Sequence, residues 1–266
     1  MLKSGNKHRK SVPKVVGGMI KICDVVLEVL DARYIDETRN KEVEENIKEQ
    51  RKKLIFVINK CDLVEVDKLK EEAERKKLFP HVIISCKSGI GKGGLIERIK
   101  IEAKRALSEK KFEIAHVGIL GYPNTGKSSL INFLTGRNAT TTSSTTGFTK
   151  GMKKIRLSSG VLLLDTPGII PSKEDTKYDR EVLEKHAKID VEPYDRVKEP
   201  EFVVDRIIKQ NPEKLEKFYG VEADGDSEIL IDELGKRKKL FAKGGVVDSD
   251  RTARAIIKDW QDGKIK

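Results

Sequence analysis

The chain has 266 residues, enough for one domain of moderate size and a smaller one beside it. It carries 54 Lys and Arg against 43 Asp and Glu, a formal net charge of +11, and such a surface attracts a polyanion at long range: ribosomal RNA, DNA or an anionic membrane. Three cysteines at unrelated spacings (Cys23, Cys61, Cys86) argue against a disulfide framework or a zinc cluster, and no apolar run is long enough for a membrane span or a signal peptide, so a soluble, cytoplasmic protein is expected.

The first β-rich run is VVLEVLDAR at 25–33, followed by LIFVINK at 54–60 and HVIISCK at 81–87. Nearly continuous apolar runs of this kind suit parallel strands covered on both faces. Charged helix-forming stretches, KEVEENIKEQRKK and VDKLKEEAERKKLF, separate them, and GGLIERIKIEAKRAL comes after the third. IAHVGILG (114–121), MKKIRL (152–157) and VLLLDTPG (161–168) continue the strand series. Between the first two of these, ATTTSSTTGFTK at 139–150 lacks apolar periodicity and reads as a loop. Beyond Gly168 only helical patterns appear: EVLEKHAKI, PEFVVDRIIKQ, PEKLEKFYG, SEILIDELGKRKKLF and SDRTARAIIKDWQDGKI. The last has Ser249 or Asp250 to cap it and Gly263 to stop it. The expected architecture is an α/β domain over 1–174, a mostly parallel sheet with helices on both faces, and a small all-helical domain over 175–266.

The chemistry sits at strand ends. Gly121-Tyr122-Pro123-Asn124-Thr125-Gly126-Lys127-Ser128 matches the phosphate-loop pattern, with a strand before it and SSLINFLTG after it as a helix. Glycines let successive backbone N–H groups wrap a phosphate, and the helix N-terminus favours the anion. Lys127 would neutralise the β- and γ-phosphates, Ser128 would ligate Mg²⁺, and Asn124, Thr125, Gly126 and Ser129 complete the phosphate side. Asp165-Thr166-Pro167-Gly168 ends the strand VLLLD, so that Asp165 can hold Mg²⁺ through water while the Gly168 N–H meets a γ-phosphate oxygen. Asn59-Lys60-Cys61-Asp62 directly follows LIFVI. The two oxygens of Asp62 can accept from the N1–H and exocyclic amine of guanine, a pattern adenine lacks, while Asn59 braces the loop and the stem of Lys60 covers the ring. Ser85-Cys86-Lys87 closes HVII and resembles the S-A-K box, whose small central residue donates its backbone N–H to guanine O6; Cys86 is small enough for that place. GTP or GDP, rather than ATP, is the implied ligand.

These motifs run guanine box, S-A-K-like box, phosphate loop, switch, DTPG. Together with Asp31-Ala32-Arg33 and Arg39-Asn40 after the first strand, and KGGVVDSDRTARAIIKDWQDGKI in the tail, they resemble the circularly permuted GTPases of the YlqF/RbgA family. The resemblance implies a circularly permuted Ras-like domain that hydrolyses GTP and acts as a switch in late assembly of the large ribosomal subunit, meeting ribosomal RNA and proteins; a monomer is expected. It makes Thr149 the switch threonine completing Mg²⁺ coordination, with Thr145 and Thr146 as rivals, and makes Lys127, Thr149 and Gly168 the catalytic set. Asn124 resembles the asparagine of potassium-stimulated GTPases, which implies K⁺ as a further cofactor. Ile169-Ile170 stands where a water-orienting Gln would follow DTPG, so hydrolysis is expected to be slow alone and stimulated by ribosomal particles. Basic residues suit RNA at Lys3, Lys7, Arg9, Lys10 and Lys14, at Lys236, Arg237, Lys238 and Lys239, and at Arg251 and Arg254. A GTP-dependent RNA- or protein-binding adaptor with little hydrolysis is the alternative. A small-molecule P-loop kinase or ATPase would need Lys127 and Ser128 but not Asn59, Asp62 or Ser85.

Overall fold

The computed structural model describes residues 14–108, 114–136, 141–142, 154–164, 185–186, 189 and 192–265. The chain divides into two compact units, Met1–Asp175 and Thr176–Lys266.

The first unit is built on a seven-stranded sheet of order β3-β2-β1-β4-β7-β6-β5. Strand β1 (Val25–Asp31) is buried along its whole length, as its near-continuous apolar sequence requires. It pairs in parallel with β2 (Lys53–Asn59) on one side and β4 (Ala115–Gly121) on the other. β3 (His81–Ile83) continues the parallel set beyond β2, and β7 (Val161–Leu164) beyond β4. β6 (Lys154–Ser158) runs antiparallel to β7. The Thr-rich stretch is not loop throughout, because Thr141–Thr142 forms β5 against β6, the ladder outweighing the lack of apolar side chains.

Alternate residues of the central strands feed opposite cores. Leu27, Val29, Val117 and Ile119 pack with α5 (Lys92–Leu107) and α6 (Lys127–Thr135). On the other face Val26 and Leu120 pack with α1 (Lys14–Ile22) and with α3 (Lys41–Glu49), which follows the single turn α2 (Ile35–Thr38). Leu30 and Ile58 pack on α4 (Val66–Arg75).

The second unit contains α7 (Pro200–Gln210), α8 (Pro212–Tyr219), α9 (Ser227–Arg237) and α10 (Ser249–Gln261). Pro200 and Pro212 open their helices where the missing N–H is harmless. The cap of α10 is Asp248, one residue before the expected Ser249 or Asp250; its carboxylate accepts from Arg251 N at 3.0 Å. The pattern SEILIDELGKRKKLF overran its helix, which ends at Arg237. Phe241 then makes an isolated antiparallel bridge to Val247. Among the described residues no helix is long and apolar enough to cross a membrane.

Candidate functional site

Parallel strands β2, β1 and β4 bring their C-terminal ends to one edge of the sheet. The chain steps outward through β2 and β3 on one side of β1 and through β4 and β7 on the other, so the crevice between the ends of β1 and β4 is a topological switch point, the usual ligand site of an open α/β sheet.

The phosphate loop leaves β4 at Gly121 and enters α6 at Lys127. A Cβ on Gly121 would lie 2.6 Å from the Val29 carbonyl oxygen of the neighbouring strand. Gly126 has φ +101°, and a Cβ there would overlap the side-chain amide of Asn59. Thr125 Oγ1 donates to the Tyr122 carbonyl at 3.0 Å, and the Nζ of the buried Lys127 donates to the same oxygen, closing the loop on itself.

The guanine-box residues converge on this loop from β2. Asn59, 3% exposed, donates through Nδ2 to Thr125 O at 2.9 Å and accepts through Oδ1 from Cys86 N at 3.2 Å. One side chain thus ties together the guanine box, the S-A-K-like box and the phosphate loop. The Cys86 N–H expected to meet guanine O6 is directed to Asn59 in this structure. Ser85 Oγ donates to Asp62 Oδ1 at 2.5 Å and accepts from Ser88 N at 3.0 Å, which fixes the carboxylate's rotamer. Burial, reinforced by the Asp62 charge, pushes the Cys86 thiol up to about 11, leaving it neutral at physiological pH. Lys60 turns out of the strand in the left-handed region, φ +65°, and its ammonium pairs with Asp31 at 2.7 Å. Lys87 is exposed, as are Asn124, Ser128 and Ser129.

Asp31 and Arg33 belong to this site, although the sequence marks them only through the family resemblance. The signal that finds them is register: Asp31 is opposite Asn59, and Ala32 N donates to Asn59 O at 2.8 Å. Thr149, Asp165 and Gly168, with Thr145, Thr146 and Ile169-Ile170, lie outside the described residues. Of the expected magnesium donors only Ser128 is described, at the first turn of α6. Among the described residues no cluster of three His, Cys, Asp or Glu could hold a metal by itself.

The basic residues expected to face RNA divide into two groups. Lys236 pairs with Asp232, Arg237 donates to the carbonyls of Tyr219 and Gly220, Lys238 pairs with Asp259, and Arg254 pairs with Asp250 and donates to Tyr194 O. The side chains of Lys239 and Arg251 are exposed and have no such ties among the described residues. Lys3, Lys7, Arg9 and Lys10 and the side chain of Lys14 lie outside what is described.

A family model described as a 50S ribosome-binding GTPase matches residues 116–227, starting inside β4, the strand that leads into the phosphate loop, and so after the guanine box. An uncharacterized GTP-binding protein of the archaeon Methanocaldococcus jannaschii is 39% identical over 96% of this chain and 67% of its own. The solved structure of GNP-bound YlqF from T. maritima superposes with a TM-score of 0.63 at 26% identity, covering 94% of this chain and 92% of that one. The chain is a circularly permuted GTPase of the YlqF family. Other relatives include nucleolar GTP-binding protein 2 of Saccharomyces cerevisiae, 34% identical over 93% of this chain. The chain spans half the length of that protein, so the nucleolar relatives carry as much sequence again beyond the region shared with this YlqF-family GTPase.

Proposed function

We propose that this YlqF-family protein binds and hydrolyses GTP and acts as a switch in assembly of the large ribosomal subunit. The observation that carries the reading is the position of Asn59: a side chain bonded at once to the phosphate loop and to the loop after β3 makes base recognition and phosphate binding one rigid unit. In this unit Asp62, oriented by Ser85, accepts from the guanine N1–H and amine. The Cys86 N–H is shared between Asn59 and O6, and Lys60 and Lys87 flank the base. Lys127 binds the β- and γ-phosphates with the backbone of Asn124, Thr125, Gly126, Ser128 and Ser129.

Ser128, Thr149 and Asp165 would hold Mg²⁺, which supplies charge neutralisation across the β- and γ-phosphates. Asn124 would help to hold K⁺ beside them. Gly168 donates its N–H to the γ-phosphate, and Lys127 with Thr149 stabilises the charge that develops there. With Ile169-Ile170 after DTPG, the chain has no side chain at that point able to orient water, and hydrolysis is slow until a ribosomal particle binds. Residues 1–174 form the GTPase domain and 175–266 the helical domain, whose exposed Lys239 and Arg251 offer cations to ribosomal RNA. The protein acts as a monomer in the cytoplasm.

The test is base exchange at Asp62. The wild-type chain binds GDP at least about 100-fold more tightly than ADP, and Asp62→Asn reverses the preference toward XDP, because an amide donates where xanthine now accepts. An unaltered preference for GDP in the variant removes Asp62 from base recognition. Single-turnover hydrolysis with and without salt-washed large subunits then separates a GTPase switch from a GTP-dependent adaptor, for which both rates would stay at the uncatalysed level.

A further inference from the structure

Asp31 ends β1, the strand that lies between the guanine-box strand and the phosphate-loop strand. The residue is 1% exposed and its carboxylate is fully engaged. Oδ1 accepts from Arg33 N and Nε, both at 3.0 Å. Oδ2 accepts from Arg33 Nη2 at 2.8 Å and from Lys60 Nζ at 2.7 Å. The backbone is fixed as well, since Asp31 N donates to Thr38 Oγ1 at 3.1 Å. Arg33 in turn lies over the Tyr34 ring, 5.0 Å from its centroid. Burial raises the carboxyl's affinity for a proton, but hydrogen bonds and charge from Arg33, and then Lys60, outweigh it and hold the group below the ordinary aspartate range.

An anion this deeply buried needs compensation by cations, and Arg33 alone already supplies a bidentate partner. The second cation, Lys60, is drawn in from the guanine box itself. A free lysine stem in solution samples many rotamers, and ordering it when a ligand arrives costs binding free energy. With its ammonium tied to Asp31, Lys60 presents only its methylenes to whatever occupies the pocket.

We infer that Asp31, held by Arg33, is a positioning residue that pre-orders the Lys60 stem as an apolar plate for the guanine ring. The inference rests on reading Asn59-Lys60-Cys61-Asp62 as the guanine box. The plate contacts the face of the base and not its edge, so it contributes equally to guanine and hypoxanthine. Asp62, by contrast, discriminates between them through the exocyclic amine.

The experiment is a binding cycle on the full chain, with GDP, IDP and ADP as probes, for wild type, Asp31→Asn, Lys60→Ala and the double variant, at a temperature where circular dichroism confirms each is folded. Asp31→Asn weakens GDP and IDP by the same factor, about tenfold, leaving their ratio unchanged. Lys60→Ala does the same, and the double variant is no weaker than Lys60→Ala alone. Unchanged affinity in Asp31→Asn, a changed GDP to IDP ratio, or losses that multiply in the double variant overturn the inference. Should Asp31→Asn not fold, Arg33→Ala, which removes the bidentate side-chain partner of the carboxylate and leaves Lys60 as its remaining cation, is expected to weaken both nucleotides about threefold, and no loss there counts against the inference. A wild-type chain that binds ADP as well as GDP defeats the guanine-box reading itself, an outcome separate from any result of the cycle.

Discussion

Alanine at Gly126 tests the central joint of the site. The glycine has φ +101°, where an L-residue is strained by about 1–2 kcal/mol, and its added Cβ would run into Asn59 Nδ2. To make room Asn59 must swing away, losing its bonds to Thr125 O at 2.9 Å and Cys86 N at 3.2 Å. Two buried hydrogen bonds are worth about 2 kcal/mol together. The total for Gly126→Ala is therefore about 3–4 kcal/mol, whereas Asn59→Ala alone costs about 2. In the Asn59→Ala background the collision partner is gone and only the backbone strain remains, so Gly126→Ala should then cost about 1–2 kcal/mol. A double-mutant cycle by urea denaturation without nucleotide, with GDP affinity measured in parallel, should give a coupling of about 2 kcal/mol with the double variant less damaged than the sum. Additivity within about 0.5 kcal/mol would refute the contact between Asn59 and the phosphate loop as the joint of the site.

Glu28 on β1 is 1% exposed, and burial, with Glu44 nearby, pushes its carboxyl up to about 8; in the folded chain it keeps a proton that the unfolded chain releases above about 4.5. Its contribution to stability is therefore lost as pH rises through that window, by up to about 3 kcal/mol at pH 7, and Glu28→Gln should flatten the pH dependence of the unfolding free energy between about pH 5 and 8. Because the Cys86 thiol is pushed up to about 11, iodoacetamide at pH 8 should label it about 100-fold more slowly than in the urea-unfolded chain, followed by mass spectrometry. Lys239→Glu and Arg251→Glu should weaken binding to large ribosomal subunits and shrink its salt dependence while leaving the melting temperature unchanged. Arg254→Ala, which breaks the ties to Asp250 and Tyr194, should instead cost about 1 kcal/mol of stability.

The elements legible in the sequence are those whose signal is local. Continuous apolar runs fixed β1, β2 and β4 to within about two residues at each end, and the phosphate loop and guanine box stand where strand ends put them. β5 was not legible, because Thr141–Thr142 pairs through its backbone with β6 and carries no apolar pattern. The end of α9 is not legible because KRKK continues a helical pattern by propensity, while the chain turns at Lys239, φ +54°. Asp248 is not singled out as the cap by the sequence, because Asp248, Ser249 and Asp250 are all capping types and only geometry selects among them. Lys60 is legible as a guanine-box residue but not as the partner of Asp31, since that pairing is a property of register between strands separated by 21 residues of chain. The same limit applies to the tail's basic run: composition counts Lys236, Arg237 and Lys238 as cations for RNA, and the fold ties them to its own carboxylates and carbonyls.

The circularly permuted motif order then has a physical explanation. What the site needs is spatial: the guanine-box end of β2 beside the Asp31 end of β1, and β1 beside the phosphate-loop end of β4. Each of these contacts is a parallel pairing, and parallel neighbours are joined by crossovers that need not pass through the site. Asn59 reaches Thr125 across 66 positions of sequence, so its bond depends on the sheet and not on the connecting chain. The chain can then be opened elsewhere without loss of the pocket, and a site that survives permutation is one whose coupling lies in side chains such as Asn59 and Asp31 that bridge strand ends. Substitutions at these two bridging residues should therefore change nucleotide affinity more than equally destabilising substitutions in the connecting helices. Leu69→Ala, a buried truncation in α4 expected to cost about 2–5 kcal/mol, is the matched control for Asn59→Ala. If Leu69→Ala lowers GDP affinity as much as Asn59→Ala does, under conditions where both are folded, the pocket depends on general rigidity and not on its bridges.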